Sequence, residues 1–392
     1  MANLFIGAGQ AGGALVDSIF KFKNIGLIAQ PLAINSTARD LANLSNIKRE
    51  NWLGISEKVG IISGKERKSV FEERVTIGFG KNPVWASEVI EEHYESLLKA
   101  LEDFVKVEMP GAQSQEKQKE EHIPFSLIFT GFGGGTGCGI SPYIAKALKE
   151  LSEGLMRVLI IGVLPAAGDK LEAWNAKYGI NKLKEFADSF ILVDNQRIAY
   201  RPDFVTLYER YNDYIAAGIT DLIMGTLLEK IDPSKYSFSP PVIEIKDIIA
   251  ATSFDGKPGF AALARASNIT RNLFKYFVPI GAHKEIDTLT LCRKAVEKLT
   301  VADVDPVEAQ KNLALIRVHP YYLQEEKRLD LKSVMDFMFD RSKMDEHYFG
   351  VSLTRRNLFS LTTLFTYKYD ELERLKEIDK LAGEYKGRGK SQ

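Results

Sequence analysis

Short apolar runs and stretches of helical spacing alternate along this chain up to about residue 200. Leu4–Ile6 is an apolar run closed by Gly7 and Gly9, and Ala14–Phe22 then puts Leu15, Ile19 and Phe22 on one helical stripe. Gly26–Ile34 reads as a second strand ending in Asn35-Ser36-Thr37, with a helical start at Ala38–Leu44. Residues 85–107 form an amphipathic helix, and Glu108–His122 is polar enough to predict a flexible surface loop. Phe125–Phe129 is a buried strand entering Gly131–Gly139, followed by a helix at Ser141–Leu151 and strands at Val158–Leu164 and Ser189–Val193. This alternation predicts an α/β domain built on a parallel, Rossmann-like sheet over residues 1–202.

The texture then changes. Asp203–Lys230 predicts one long central helix, with Leu207, Tyr211, Ile215, Leu222 and Ile223 on a broad apolar face. Asp232-Pro233 and Pro240-Pro241 break it. Residues 231–366 read as a smaller α+β domain, with strands at Phe277–Gly281, Leu313–Val318, Tyr348–Leu353 and Leu358–Phe365. Residues 367–392 are expected to be a C-terminal tail, basic and disordered over Glu384–Gln392.

Composition narrows the function classes. The 392 residues carry 52 Lys+Arg and 52 Asp+Glu, so net charge argues against nucleic acid or an anionic membrane as main partner. Cys138 and Cys292 are too few for a disulfide framework, and no Cys/His spacing marks a metal site. Cys138 reads as a small space-filler in a glycine loop. No leader pattern and no membrane-length apolar run is visible, so a cytoplasmic location is expected.

Two glycine clusters carry the candidate chemistry. Gly7-Ala8-Gly9-Gln10-Ala11-Gly12-Gly13 lies between a strand and a helix, where backbone N–H groups and the helix terminus can meet phosphate. Its Gly-x-Gly-x-x-Gly spacing also fits a dehydrogenase, which would want an acid where the second strand ends in Asn35. The stronger cluster is Gly131-Phe132-Gly133-Gly134-Gly135-Thr136-Gly137-Cys138-Gly139, with six glycines in nine residues. An ordinary strand-to-helix turn needs one or two, so the excess points to a phosphate chain held by N–H groups and the Thr136 hydroxyl. No Lys-Ser or Lys-Thr follows the last glycine, which excludes a Walker A loop.

Gly133–Gly139 resembles the tubulin signature GGGTG(S/T)G, with Cys138 in the variable slot. Gly9-Gln10-Ala11-Gly12, then Ala33–Leu41, then Gly78-Phe79-Gly80 follow in the order of the tubulin/FtsZ superfamily, and Gln-Ala-Gly-Gly looks most like its archaeal CetZ branch. The resemblance implies a GTPase domain that binds GTP/GDP with Mg2+. The phosphates would be held by backbone of Gln10 and Ala11 and of Gly133 to Gly137. Asp169, four residues past Pro165, falls on the family's ribose-binding acid, with Glu172 as fallback; Asn195 would lie near ribose and base. Tyr208 and Asn212 match the aromatic that stacks on guanine and the amide that reads its edge, and their i, i+4 spacing puts both on one face.

Pro241–Asp247 resembles the family's catalytic loop, with Glu244 and Asp247 as its acids and Lys246 as a departure. In the family these acids enter the next subunit's site, so the resemblance implies a head-to-tail homopolymer that hydrolyses GTP on assembly, in cell shape or division. Adaptor proteins are conceivable partners, although the tail lacks the apolar-acidic peptide of classical FtsZ. A GTP-binding scaffold or regulator with little hydrolysis is the alternative, suggested by the short acid at Asp169 and by Lys246.

Overall fold

The computed structural model describes residues 3–106, 123–198, 204–229, 231, 241–270, 283–324, 329–339 and 346–386. The first half runs β1 (Leu4–Ala8), α1 (Gly9–Ile19), β2 (Gln30–Asn35), α2 (Ala38–Ala42), β3 (Trp52–Ser56), β4 (Gly60–Ser63), α3 (Lys68–Arg74), α4 (Pro83–Glu92) and α5 (Tyr94–Val105). It continues through β5 (Phe125–Gly131), α6 (Thr136–Leu151), β6 (Arg157–Leu164), α7 (Lys170–Leu183) and β7 (Ser189–Asp194). The central helix α8 covers Phe204–Leu227. After it come α9 (Ile245–Ala251), β8 (Ser253–Phe254), β9 (Lys257–Pro258), β10 (Phe260–Ile269), α10 (Thr288–Val296) and β11 (Lys311–Val318). The described chain ends with α11 (Leu331–Phe339), β12 (Glu346–Leu353), β13 (Leu358–Tyr367) and α12 (Glu373–Glu384).

Eleven strands form one sheet in the order β12-β11-β13-β10-β7-β6-β5-β1-β2-β3-β4. β1, β2, β5, β6 and β7 are parallel, and their near-continuous apolar runs reflect burial on both faces. Period-two alternation sorts their side chains into two cores. Ile6, Ile128 and Ile160 pack on the side of α4 to α7, whereas Phe5, Leu127 and Ile161 pack toward α1, α8 and α9.

Strands β10 to β13, in the stretch expected to be a smaller domain, form a sheet continuous with the first one. β10 runs parallel to β7 over only three pairs, Phe260 to Ala262 against Phe190 to Leu192, before pairing along its whole length with β13. A buried charge cluster fastens α8 to this half. Arg317, 1% exposed, meets Asp221 and chelates Glu229 through two 2.6 Å bonds, and Arg265 meets Asp221 at 2.8 Å.

Other expectations are corrected. The single helix over 85–107 is two, broken at His93, and the second strand starts at Gln30 because Ile25–Leu27 form a 3-10 turn. Most of the expected tail is the ordered helix α12, which buries Arg374, Leu375 and Ile378. The polar segment Glu108–His122, the strand at Phe277–Gly281 and the basic end past residue 386 lie outside the described residues.

Candidate functional site

β1 leads through α1 to β2 on one side, while β5 and β6 lie on the other, so the crossovers diverge between β1 and β5. In parallel α/β sheets the crevice beyond the strand ends at such a switch point is where ligands bind. A cleft of ≈ 360 Å³ opens there. Gly9, Gln10, Ala11, Asn35, Gly78, Phe79, Gly80, Gly133, Gly134, Gly135, Thr136, Gly137, Pro165 and Asn195 line it, so most of the sequence-derived positions converge on one cleft.

Two helices begin at its floor. α1 starts at Gly9 and α6 at Thr136, and neither first turn has a side-chain cap or an acidic residue. Their first N–H groups are therefore available to an anion, with the positive helix ends behind them. The two starts touch: Gly9 has φ of 71°, and a Cβ there would lie 2.9 Å from the Gly137 nitrogen. The Ser36 and Thr136 hydroxyls bond each other at 2.9 Å, joining the ends of β2 and α6.

The loop Gly78–Asn82 makes a third wall. Gly78, Gly80 and Lys81 all have left-handed φ, 49°, 50° and 60°. Phe79 is an anchor more than a contact surface, 2% exposed and edge-on to Trp85 at 5.2 Å. Asn82 caps α4 by accepting from Trp85 N–H. Asn175 on α7 ties this wall to the glycine loop, its amide donating to the Lys81 carbonyl at 2.9 Å and the Gly133 carbonyl at 3.0 Å. Across the cleft Lys81 Nζ meets Glu172 Oε1 at 2.6 Å, and that hydrogen bond holds the Lys81 ammonium above its ordinary pKa.

Several expected residues stand elsewhere. Gly12 does not line the cleft; a Cβ there would strike the Phe129 carbonyl oxygen at 2.0 Å, so it serves the packing of α1 on β5. Asp169 also does not line it: its carboxylate caps α7 by accepting from Glu172 N–H at 3.0 Å, and of these two acids Glu172 is the one that faces the cleft. Tyr208 and Asn212 sit on α8 and are absent from the lining; burial pushes the Tyr208 hydroxyl pKa up, and Asn212 is 8% exposed.

Glu244 and Asp247 lie at the other end of the sheet. β5, β6 and β7 end at the cleft, whereas Ile248 of α9 packs beside Leu127 and Leu159, toward the starts of β5 and β6. Glu244 is the N-cap of α9, its N–H bonded to Asp247 Oδ2 at 2.8 Å, and Lys246 Nζ pairs with Glu244 at 2.6 Å.

Sequence reasoning missed four contributors: Ser36, Lys81, Asn175 and Arg374. Arg374 of α12, 3% exposed, donates to Asp194 and to the Pro165 carbonyl, fixing two strand ends beside the cleft. A Lys or Arg far along the chain gives no local signal of this kind, but Asn175 lies three positions after Glu172 and shares its helix face.

Residues 114–200 match the model of the Tubulin/FtsZ family, GTPase domain. The tubulin-like protein CetZ of Pyrococcus abyssi is 29% identical over 225 residues, 57% of this chain and 53% of that protein. CetZ1 from Haloferax volcanii, solved as a GDP-bound monomer, has a TM-score of 0.70 at 21% identity, covering 98% of this chain and 99% of its own. The chain is similar to the CetZ proteins of the tubulin/FtsZ family. CetZ2 from the same organism, solved as a GTPgS-bound protofilament, has a TM-score of 0.69 at 20% identity, with 98% of both chains covered. The matched stretch spans about half the length of the curated Pyrococcus relatives. The fold described above is shared with these solved CetZ structures over nearly the whole chain. No helix among the described residues is long and apolar enough to cross a membrane.

Proposed function

We propose that this protein binds GTP and GDP in the switch-point cleft and assembles head to tail, with the α9 end of one copy closing the phosphate end of the next copy's cleft. The reading rests above all on one observation: Glu244 and Asp247 belong to the start of α9, which packs toward where β5 and β6 begin, and the cleft lies where those strands end. One chain cannot bring these acids to its own phosphates, whereas a head-to-tail stack of unlike faces brings them to a neighbour's, and such contacts generate open filaments. The phosphates bind the N–H groups of Gly9–Ala11 and Gly133–Thr136, and Glu172, rather than Asp169, is the acid that faces the ribose. Solved relatives carrying GDP in a monomer and GTPgS in a protofilament support the ligand and the assembly.

No group of three or more His, Cys, Asp or Glu among the described residues could hold a metal ion. Asp40, Ser36 and Thr136 do bring a carboxylate and two hydroxyls to the lining, oxygen donors that suit Mg2+ shared with phosphate oxygens and water. When bound, the ion neutralises phosphate charge. Hydrolysis then depends on Glu244 and Asp247 of the neighbour orienting the attacking water.

The test is the GTPase rate per molecule across protein concentration, with NADH as a control ligand. A steep rise is expected for a shared site; a flat profile counts against it. Glu244→Ala should keep GTP binding and suppress turnover. A second reading, a GTP-binding scaffold with little hydrolysis, is favoured by the engagement of both acids within their own loop, Asp247 with the Glu244 N–H and Glu244 with Lys246. It expects filaments without phosphate release.

A further inference from the structure

The charged side chains in the cleft lining are Asp40, Lys81 and Glu172, so among the described residues Lys81 is the one lysine or arginine there. Its surroundings hold it over the glycine loop. The Lys81 Cα lies 3.1 Å from the point a Cβ on Gly135 would occupy, and Glu172 Oε2 lies 3.1 Å from the same point on Gly133. The ion pair between them thus stands beside the loop whose N–H groups are offered to phosphate.

The main chain of Lys81 is fixed while its ammonium is movable. Asn175 holds the Lys81 carbonyl at 2.9 Å, and φ of 60° is a left-handed conformation that glycine adopts freely and lysine does not. The loop therefore keeps a long cationic side chain at a position whose backbone conformation better suits a glycine, such as the Gly80 before it. The Lys81 side chain is 52% exposed and four methylenes long, so its ammonium can leave Glu172 without moving the backbone. Asp169, Glu172 and Asn175 recur every three residues on α7, and the two acids both attract the ammonium.

We propose that Lys81 changes partner from Glu172 to the terminal phosphate of a bound nucleoside triphosphate, and thereby sets the preference of the cleft for triphosphate over diphosphate. The inference rests on the nucleotide reading above. The paired Lys81 and Glu172 carry no net charge, so a diphosphate on the glycine loop gains little from them. A third phosphate adds negative charge beyond the two held by the glycine loop, and the ammonium, swinging from the carboxylate to that phosphate, forms a charge-assisted bond.

The experiment is calorimetric titration of the full chain with GTP and with GDP, in wild type, Lys81→Gln, Lys81→Arg and Glu172→Gln. Lys81→Gln should lower the GTP-to-GDP affinity ratio about tenfold, chiefly through GTP, as expected for a lost charge-assisted bond. Lys81→Arg should retain most of the ratio, and Glu172→Gln should raise it because the competing carboxylate is gone. Circular dichroism checks that each variant is folded. A ratio unchanged in Lys81→Gln, or one lowered equally by Glu172→Gln, overturns the exchange while leaving nucleotide binding intact. Absence of GTP and GDP binding by the wild type overturns the nucleotide reading itself, and this inference with it.

Discussion

Arg374 donates from Nε to Asp194 at 3.0 Å, a contact that spans 180 residues of sequence and joins the last helix to the strand end beside the cleft. Asp194 is fully buried and also accepts from Gln196 N–H and Ala302 N–H, and the same guanidinium reaches the Pro165 carbonyl. Pro165 and Asn195, the residue after Asp194, both line the cleft. The C-terminal helix is thus part of the support of the site.

Arg374→Ala should destabilise the protein by about 3–5 kcal/mol, because it leaves a buried carboxylate without its cation. Urea denaturation measures this. Burial already pushes the Asp194 carboxyl up, with Arg374 pulling against it. Without Arg374 it rises further, and a raised carboxyl contributes stability that is present below the unfolded value and lost as pH rises through the folded one. The gap between variant and wild type should therefore narrow from pH 7 toward pH 4; a gap independent of pH would show that Asp194 is not the group left unpaired.

The parallel half was legible because strands buried on both faces read as unbroken apolar runs, and the glycine loops marked their ends. β10 was not legible: Phe-Ala-Ala-Leu-Ala-Arg-Ala-Ser-Asn-Ile lacks the β-branched texture of a strand, and the small residues let α8 pack close, with Gly218 against Leu263. α12 reads as a charged tail because its buried face includes an arginine. Glycine density overstated phosphate contact, since a Cβ on Gly139 would lie 2.5 Å from the Pro83 carbonyl and Ala86. The i, i+4 argument correctly joins Tyr208 and Asn212 on one face of α8, but spacing alone says nothing of where that face points. The Lys81–Glu172 pair lies 91 residues apart in sequence and only the fold brings it together.

Asn175→Ala removes both bonds from the loop walls and exposes no new surface, since Asn175 is fully buried. Two part-buried carbonyls lose their donor together, so a loss of about 1–3 kcal/mol is expected. Nucleotide affinity should fall more than in a control variant of equal stability, because the Gly78–Asn82 and Gly133–Gly137 loops are no longer tied. Equal affinity at equal stability would reduce Asn175 to a packing residue.

Asp221 offers a separate acid-range test. Burial opposes its charged form, but Arg317 and Arg265 outweigh it and hold the carboxyl below its ordinary value of 3.8. A depressed carboxyl contributes stability that is fully present above the unfolded value and disappears as pH falls through the folded one. Wild type should lose this contribution only below about pH 4, whereas the Asp194 contribution is gained as pH falls toward about 4, so the two groups bend the stability curve in opposite directions on either side of it. Asp221→Asn should destabilise at neutral pH by about 3–5 kcal/mol and flatten the acid limb. An acid limb as steep as the wild type's would assign it to other carboxylates.

The acid pair can be separated from its structural duty. Asp247 Oδ2 accepts from the Glu244 N–H, and an asparagine oxygen can accept the same bond. Asp247→Asn should therefore leave stability within about 0.5 kcal/mol of wild type. If the side chain also handles the attacking water of a neighbouring copy, turnover in assembled protein should fall by about a hundredfold, because an amide cannot take a proton. Lys246→Ala acts in the other direction, releasing Glu244 from its 2.6 Å ion pair, and should raise turnover without changing GTP affinity. Phosphate release measured at a protein concentration that supports assembly distinguishes the cases. If Asp247→Asn retains full turnover, that carboxylate serves only as a helix cap and Glu244 alone remains for the shared site.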